Sequence, residues 1–240
     1  MFLSIVIPIY NEEENLVKLY ERLDKVIKDN GYLAEMIFVD DASRDGTFVL
    51  LKKLHQEDKR IKVIRLKRNF GQIPAILAGI KIANADTIIT LDADLQNPPE
   101  EIPEFVEKMK EGYVAVFGYR IKRKDYFLRR FGSFLLWKFI SLKMGRKIKD
   151  PGCGFNALRK DFFEKIIDKY GMHLKNIKHT IAKESDSFTQ VEVSHFARDR
   201  GNSKYGLGKL IIYASGFLKE AFSRDTNADI FPYEIEEILK

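Results

Sequence analysis

The feature that most constrains this chain is a regular exchange, over its first half, between short β-branched apolar runs and longer runs of helical period. Phe2–Ile9 is apolar almost throughout and predicts a buried strand, while Glu13–Lys28 places Leu16, Leu19, Tyr20, Leu23, Val26 and Ile27 on one helical face. Met36–Val39 reads as a second strand closed by Asp40-Asp41, Ser43 to Thr47 as a turn, and the residues around Val49, Leu50 and Leu54 as a second helix. Ile61–Leu66, Thr87–Leu91 and Val114–Phe117 continue the strand series. Gly71–Ala83 and the stretch from Pro98-Pro99 to Lys110 supply the helices between them, the latter opening on prolines where a missing amide proton costs least. Strands separated by helices cross over instead of folding back as hairpins. The expected fold is therefore α/β, a mostly parallel central sheet with helices on both faces.

Such sheets bind ligands beyond the carboxyl ends of their strands, so the residues after each strand carry the functional reading. After the first come Pro8, Tyr10, Asn11 and Glu12; after the second, Asp40, Asp41, Ser43 and Gly46; after the fourth, Asp92-Ala93-Asp94-Leu95-Gln96; after the fifth, Gly118 and Arg120. The carboxylates of Asp92 and Asp94 are hard oxygen donors, suited to Mg²⁺ or Mn²⁺ that keeps positions open for phosphate oxygens. Strand alternation would turn both the same way. The competing reading is that these acids cap helices, as Asp45 would ahead of Gly46-Thr47. A dinucleotide site is disfavoured because the first strand runs into Tyr10-Asn11-Glu12-Glu13 and not into a glycine-rich turn, and no Gly-x-x-x-x-Gly-Lys-Ser/Thr loop is present.

Composition sharpens this. The 240 residues suit one large domain, expected to span 1–224, followed by an acidic tail, 225–240. The net charge of +6 is not evenly spread: Tyr119 to Lys149 holds eleven Lys and Arg against one acid, Asp125, so the remainder is mildly acidic. A single cysteine, Cys153, excludes an internal disulfide framework and fits a reducing, cytoplasmic setting. The apolar N-terminus lacks a positive leader and fits a first strand better than a signal peptide. The longest uncharged run, Asn69 to Ile80, has 12 residues, too few to span a bilayer.

Four segments, in order, resemble glycosyltransferase family 2: Ser4-Ile5-Val6-Ile7-Pro8-Ile9-Tyr10-Asn11-Glu12; Val39-Asp40-Asp41-Ala42-Ser43-Arg44-Asp45-Gly46-Thr47; Arg68-Asn69-Phe70-Gly71; and Leu91-Asp92-Ala93-Asp94-Leu95-Gln96-Asn97-Pro98-Pro99. The last is most similar to the branch that glycosylates polyprenyl phosphates, such as dolichyl-phosphate mannose or glucose synthases. Gly118-Tyr119-Arg120, the Arg129/Arg130 to Ser133 segment, Asp150-Pro151-Gly152-Cys153-Gly154-Phe155 and Arg200-Gly201-Asn202-Ser203-Lys204-Tyr205 extend the match to about residue 220. The resemblance implies a single GT-A domain, with a nucleotide-sugar-binding half (1–118) and an acceptor- and membrane-facing half (119–224), and an inverting transfer of a hexose from a GDP-mannose or UDP-glucose type donor to a polyprenyl phosphate. It implies that Pro8, Tyr10, Glu12, Asp41, Arg68, Asp92 and Ala93 bind the nucleotide sugar, and that Asp92, Asp94 and Gln96 hold Mg²⁺ or Mn²⁺. Asp94, Arg120, Arg129, Arg130, Ser133 and Arg200 would serve the reacting phosphates, with Asp150 positioning the acceptor. Asn156 stands where dolichol-type relatives often carry Arg.

A lipid phosphate is already anionic and needs positioning more than a base, which arginine's planar fork supplies. The basic stretch fits an interfacial helix, Tyr126–Met144, whose aromatic residues alternate with Arg129, Arg130, Lys138 and Lys143, the alternative being a helix docked on the sheet with its basic side solvated; Leu210–Phe222 fits a second surface helix or ordinary core. Asn202 to Gly208 reads as a lid. The expectation is a chain attached peripherally to the cytoplasmic face of the membrane, some relatives being tethered there by a small membrane partner. His173 and His179 are expected in an exposed loop. Two rivals stand beside this reading: transfer to a saccharide hydroxyl, for which Asp150 is the obvious base, and a basic nucleic-acid-binding domain, against which the acids at Asp41, Asp92 and Asp94 count.

Overall fold

The alternation of β-branched and amphipathic runs produces the architecture it implies. The computed structural model describes residues 1–120, 148–170, 174, 176–196 and 233–240. Strands β1 (Phe2–Ile9), β2 (Leu33–Asp40), β3 (Ile61–Leu66), β4 (Thr87–Thr90), β5 (Ala115–Arg120), β6 (Asn156–Arg159), β7 (Phe188–Val193) and β8 (Ile235–Leu239) form one sheet in the order β7-β5-β6-β4-β1-β2-β3-β8. Helices α1 (Glu13–Asp29), α2 (Thr47–Glu57), α3 (Gln72–Ile82), α4 (Ile102–Lys110), α5 (Lys160–Tyr170) and α6 (Ile177–Glu184) cover it. The β1–β2, β1–β4, β2–β3 and β5–β7 pairs are parallel, while β6 and β8 pair antiparallel with their neighbours.

Alternation along the strands sorts the core into two layers. Leu3, Ile5, Ile7 and Ile9 of β1 join α1, α2 and α4 on one face; Val6, Ile37 and Val39 join α3, α5 and α6 on the other. Helix α3 lies so close to the sheet that a Cβ at Gly79 would sit 2.4 Å from Val6 Cγ1. The chain crosses from β1 to β2 by α1 on one face and from β3 to β4 by α3 on the other. The carboxyl end of the sheet therefore opens a crevice between β1 and β4. Pairing of β4 with β1 ends at Val6, so Pro8, without an amide proton, lies past the last β4 partner.

Several expectations are corrected. Strand β4 stops at Thr90, so Asp92 and Asp94 lie on a turn, and strand alternation does not set their directions. Strand β2 is longer than its apolar stretch because Glu35 inside it is neutralised: its carboxylate accepts from Ser4 Oγ at 2.5 Å and from the Asn84 amide at 2.6 Å, with Lys62 Nζ at 2.6 Å. The acidic segment 225–240 is not simply an appendage, since Ile235–Leu239 pairs with β3 and Lys67 donates to Glu234 at 2.8 Å. His179 belongs to α6 and is half-buried; burial, reinforced by Lys183, pulls its pKa down to about 4. His173, the expected interfacial helix Tyr126–Met144, the segment Leu210–Phe222, and the lid lie outside the described residues.

Candidate active site

Three interlocked turns form the carboxyl edge around the crevice. After β1, the Asn11 amide donates to Ser43 Oγ at 2.9 Å, Asn11 Oδ1 accepts from the Arg44 amide at 2.7 Å, and the Glu12 amide donates to Thr47 Oγ1 at 3.0 Å. The β1 and β2 turns are thereby fixed to one another, with Pro8, Tyr10 and Glu12 partly exposed beside them. Asp40 and Asp45 do act locally: Asp40 Oδ1 accepts from the Ser43 amide at 3.0 Å, and Asp45 Oδ1 from the Thr47 amide at 3.1 Å where α2 begins.

Asp41 is 4% exposed, and its carboxylate accepts from the amides of Phe70 at 2.7 Å and Gly71 at 2.8 Å. It thus shapes the loop between β3 and α3, on which Arg68 is exposed and lies 4.6 Å over the Phe70 ring. Burial pushes the Asp41 pKa up to about 6 against the opposing pull of those two amides. Gly71, at φ 96°, adopts a backbone that favours glycine.

After β4, Asp92 and Asp94 are held from different sides. Asp92 Oδ1 accepts from Gln72 Nε2 at 2.5 Å, and its carboxylate lies against Gly154, where an added Cβ would meet Oδ1 at 2.2 Å. The Gly154 carbonyl is itself fixed by Thr90 Oγ1 at 2.7 Å and by Asn156 Nδ2 at 3.1 Å. Asp94 Oδ1 accepts from the Gln96 amide at 3.2 Å, while Gln96 exchanges hydrogen bonds with the Phe196 backbone at 2.9 and 3.3 Å. Ala93 is buried between the two acids. Among the described residues, no three His, Cys, Asp or Glu side chains gather as a metal site. Two carboxylates and an amide oxygen are an all-oxygen set short of ligands, which fits a cation that completes its shell with diphosphate oxygens. The space left by Gly154 is what admits one of those carboxylates.

Arg120, the last residue of β5, forms a buried fork on Asp150: Nε to Oδ2 at 2.6 Å and Nη2 to Oδ1 at 3.1 Å, with side chains 10% and 5% exposed. The Arg120 and Gly152 amides also donate to the Asp150 carboxylate, at 3.3 and 3.2 Å. Burial opposes the guanidinium charge, but Asp150 outweighs it and holds the Arg120 pKa above its ordinary value. Asp150, expected to position the acceptor, therefore orients Arg120. Arg129, Arg130, Ser133 and Arg200 lie outside the described residues. Two supporting residues were missed from sequence, while Gly154 stood within the Asp150 to Phe155 motif with no role assigned to it. Gln72 adjoins Gly71 of another motif; Lys178, in a polar stretch beside His179, gave no signal.

Similarity to known proteins shows the family and the fold. The family model described as "Glycosyl transferase family 2" matches residues 4–167. A curated relative from Proteus mirabilis, "Undecaprenyl-phosphate 4-deoxy-4-formamido-L-arabinose transferase", is 39% identical over 211 residues, covering 87% of this chain and 64% of its own length. The chain thus spans less than two thirds of that relative. Among solved structures, mannosyl-3-phosphoglycerate synthase from Rubrobacter xylanophilus superposes with a TM-score of 0.68 at 14% identity, covering 95% of this chain and 78% of its own. Glucosyl-3-phosphoglycerate synthase from Mycobacterium tuberculosis, in complex with Mn²⁺, UDP and glucosyl-3-phosphoglycerate, gives 0.67 at 15% identity, over 98% and 86%. At these identities the two structures speak for the shared GT-A fold.

Proposed function

The chain belongs to glycosyl transferase family 2, and from that premise we propose that it transfers a sugar from a nucleotide-sugar donor to a polyprenyl phosphate, inverting the anomeric carbon. The observation that carries the acceptor side is the Arg120–Asp150 fork. A saccharide hydroxyl needs a carboxylate with a lone pair ready for its proton; the Asp150 oxygens are committed to the Arg120 guanidinium and to the amides of Arg120 and Gly152. A phosphate acceptor needs no base, which fits an acid that instead orients a cation.

The relatives are named for undecaprenyl phosphate and for an arabinose derivative. That favours undecaprenyl over dolichyl phosphate as acceptor, and adds a modified arabinose to the hexoses read from the sequence. In this reading Pro8, Tyr10 and Glu12 flank the nucleotide, and Asp41 sets the Phe70-Gly71 amides that close the loop beside it. Asp92, Asp94 and Gln96 would hold Mg²⁺ or Mn²⁺, which when bound neutralises charge on the departing nucleoside diphosphate. Arg129, Arg130, Ser133 and Arg200 are assigned to the acceptor phosphate on the family resemblance. The lipid acceptor places the enzyme at a membrane surface, on the cytoplasmic side and with or without a small anchoring partner, and the basic, aromatic segment 119–149 is assigned to that contact. Among the described residues, no helix is long and apolar enough to cross a membrane.

The test is incubation with labelled nucleotide sugars, undecaprenyl phosphate in detergent, and Mg²⁺ or Mn²⁺. Label entering the organic phase is the expected result; label transferred to saccharides with none in lipid overturns the reading.

A further inference from the structure

Lys178 is 3% exposed, although it lies in a stretch whose composition reads as solvent-facing. Its ammonium donates to two main-chain carbonyls, Gly118 O at 2.8 Å and Asp150 O at 2.9 Å. Those carbonyls belong to the two segments that meet in the fork: Gly118 is two residues before Arg120 on β5, and Asp150 is Arg120's partner. The neighbouring Asn176 works in the same direction, capping α6 through the His179 amide at 3.0 Å while Nδ2 reaches Pro151 O at 3.5 Å. The first turn of α6 thus grips both sides of the fork from below.

A packing role alone would be served at lower cost by an apolar side chain, because an ammonium taken from water loses hydration worth several kcal/mol. Burial pulls the Lys178 pKa down to about 8, and the Asp150 carboxylate opposes that pull. The ring of Phe117, with its centroid 5.6 Å from Nζ, partly offsets the lost hydration.

We propose that Lys178 is a positioning residue for the reaction: by joining the Gly118 and Asp150 carbonyls it sets the register of Arg120 against Asp150 and so the direction in which the guanidinium meets the acceptor side. The kinetic part rests on the function proposed above; the structural part does not. Lys178→Met removes the charge at similar volume, and Lys178→Arg keeps it. Amide hydrogen exchange, measured without substrates, is expected to rise at least tenfold in residues 118–120 and 150–154 of Lys178→Met while α1 to α3 stay unchanged, with protection restored by Lys178→Arg. In the transfer assay, kcat should fall tenfold or more while the donor KM stays within threefold. Unchanged exchange in those segments, uniform loosening of the whole chain, or an arginine variant as defective as the methionine one overturns the proposal, as does failure of both to fold. A wild-type protein that transfers nothing defeats the proposed reaction, yet leaves the exchange result to decide on Lys178.

Discussion

Gly154→Ala separates the cost of a change to the fold from its cost to the site. The added Cβ would lie 2.2 Å from Asp92 Oδ1 and 2.5 Å from both Cγ and Oδ2, so the carboxylate must withdraw by about 1 Å to reach ordinary contact. The Gly154 backbone is outside the left-handed region, so alanine meets no conformational penalty and stability should change by less than about 1 kcal/mol. Asp92 ends in a side chain that can rotate, which makes its displacement cheap for the fold. That same rotation breaks the 2.5 Å bond from Gln72 and carries the carboxylate away from the diphosphate position. A misplacement of this size is worth roughly a hundredfold in rate. Transfer of labelled sugar should therefore fall about 10²-fold and Mn²⁺-dependent nucleoside diphosphate affinity should weaken, with urea unfolding almost unchanged. A rate within threefold of wild type would refute the placement of Asp92 in the donor site. A loss of more than about 2 kcal/mol in stability would refute the claim that the strain relaxes through a side chain.

The remaining predictions address neighbouring turns. Asp94→Ala should abolish transfer while leaving the unfolding midpoint within a few degrees, since the bond from the Gln96 amide is a local contact within the turn and not part of the sheet or its core; full activity would remove Asp94 from the metal assignment. For Asp41, the folded pKa of about 6 lies above the ordinary 3.8, so the folded state holds the proton more tightly and stability is lost as pH rises from about 4 through 6. Two units correspond to about 3 kcal/mol, and Asp41→Asn should lack that loss, gaining on wild type by up to this amount between pH 4 and 7 in urea melts; a pH-independent difference would show that the burial argument is wrong. Ala42→Gly, at φ 59°, should stabilise by about 1 kcal/mol in the same melts, and a destabilised variant would show that the turn carries no strain.

The first five strands and the helices between them were legible because their apolar residues are β-branched or recur at helical spacing. What escaped notice was decided by distant partners. Strand β8 reads Ile-Glu-Glu-Ile-Leu, a short acidic run whose strand character comes from β3, far away in sequence. Strand β6 has four residues and lies between β4 and β5, so its register follows from neighbours, not from its own pattern. The burial of Lys178 was hidden for the same reason, since two main-chain carbonyls outside α6 make it tolerable. At the site, the identities of Asp41, Asp92, Asp94 and Arg120 were readable. Their connections were not: Asp41 to the Phe70-Gly71 amides, Asp92 to Gln72 and Gly154, Arg120 to Asp150.

One further observation locates the site without appeal to kinship. Among the described residues, the non-glycine positions with positive φ are Asn11 at 52°, Ala42 at 59° and Leu95 at 60°. One follows each of β1, β2 and β4, the strands that border the crevice. Asparagine tolerates this conformation; alanine and leucine do so at a cost of about 1–2 kcal/mol each. Each turn stays in place because its neighbours overdetermine it: Asn11 is fixed by Ser43 and Arg44, Ala42 lies between the anchored Asp41 and Ser43, and Leu95 between Asp94 and a Gln96 bonded to Phe196. A sheet this well packed has no need of strain for stability, and none of these residues lies at its opposite edge. Strain confined to three turns at one edge is what a chain accepts when those turns must present particular atoms to a ligand. The two carboxylates, the Phe70-Gly71 amides and the Asn11–Ser43 junction all belong to that edge.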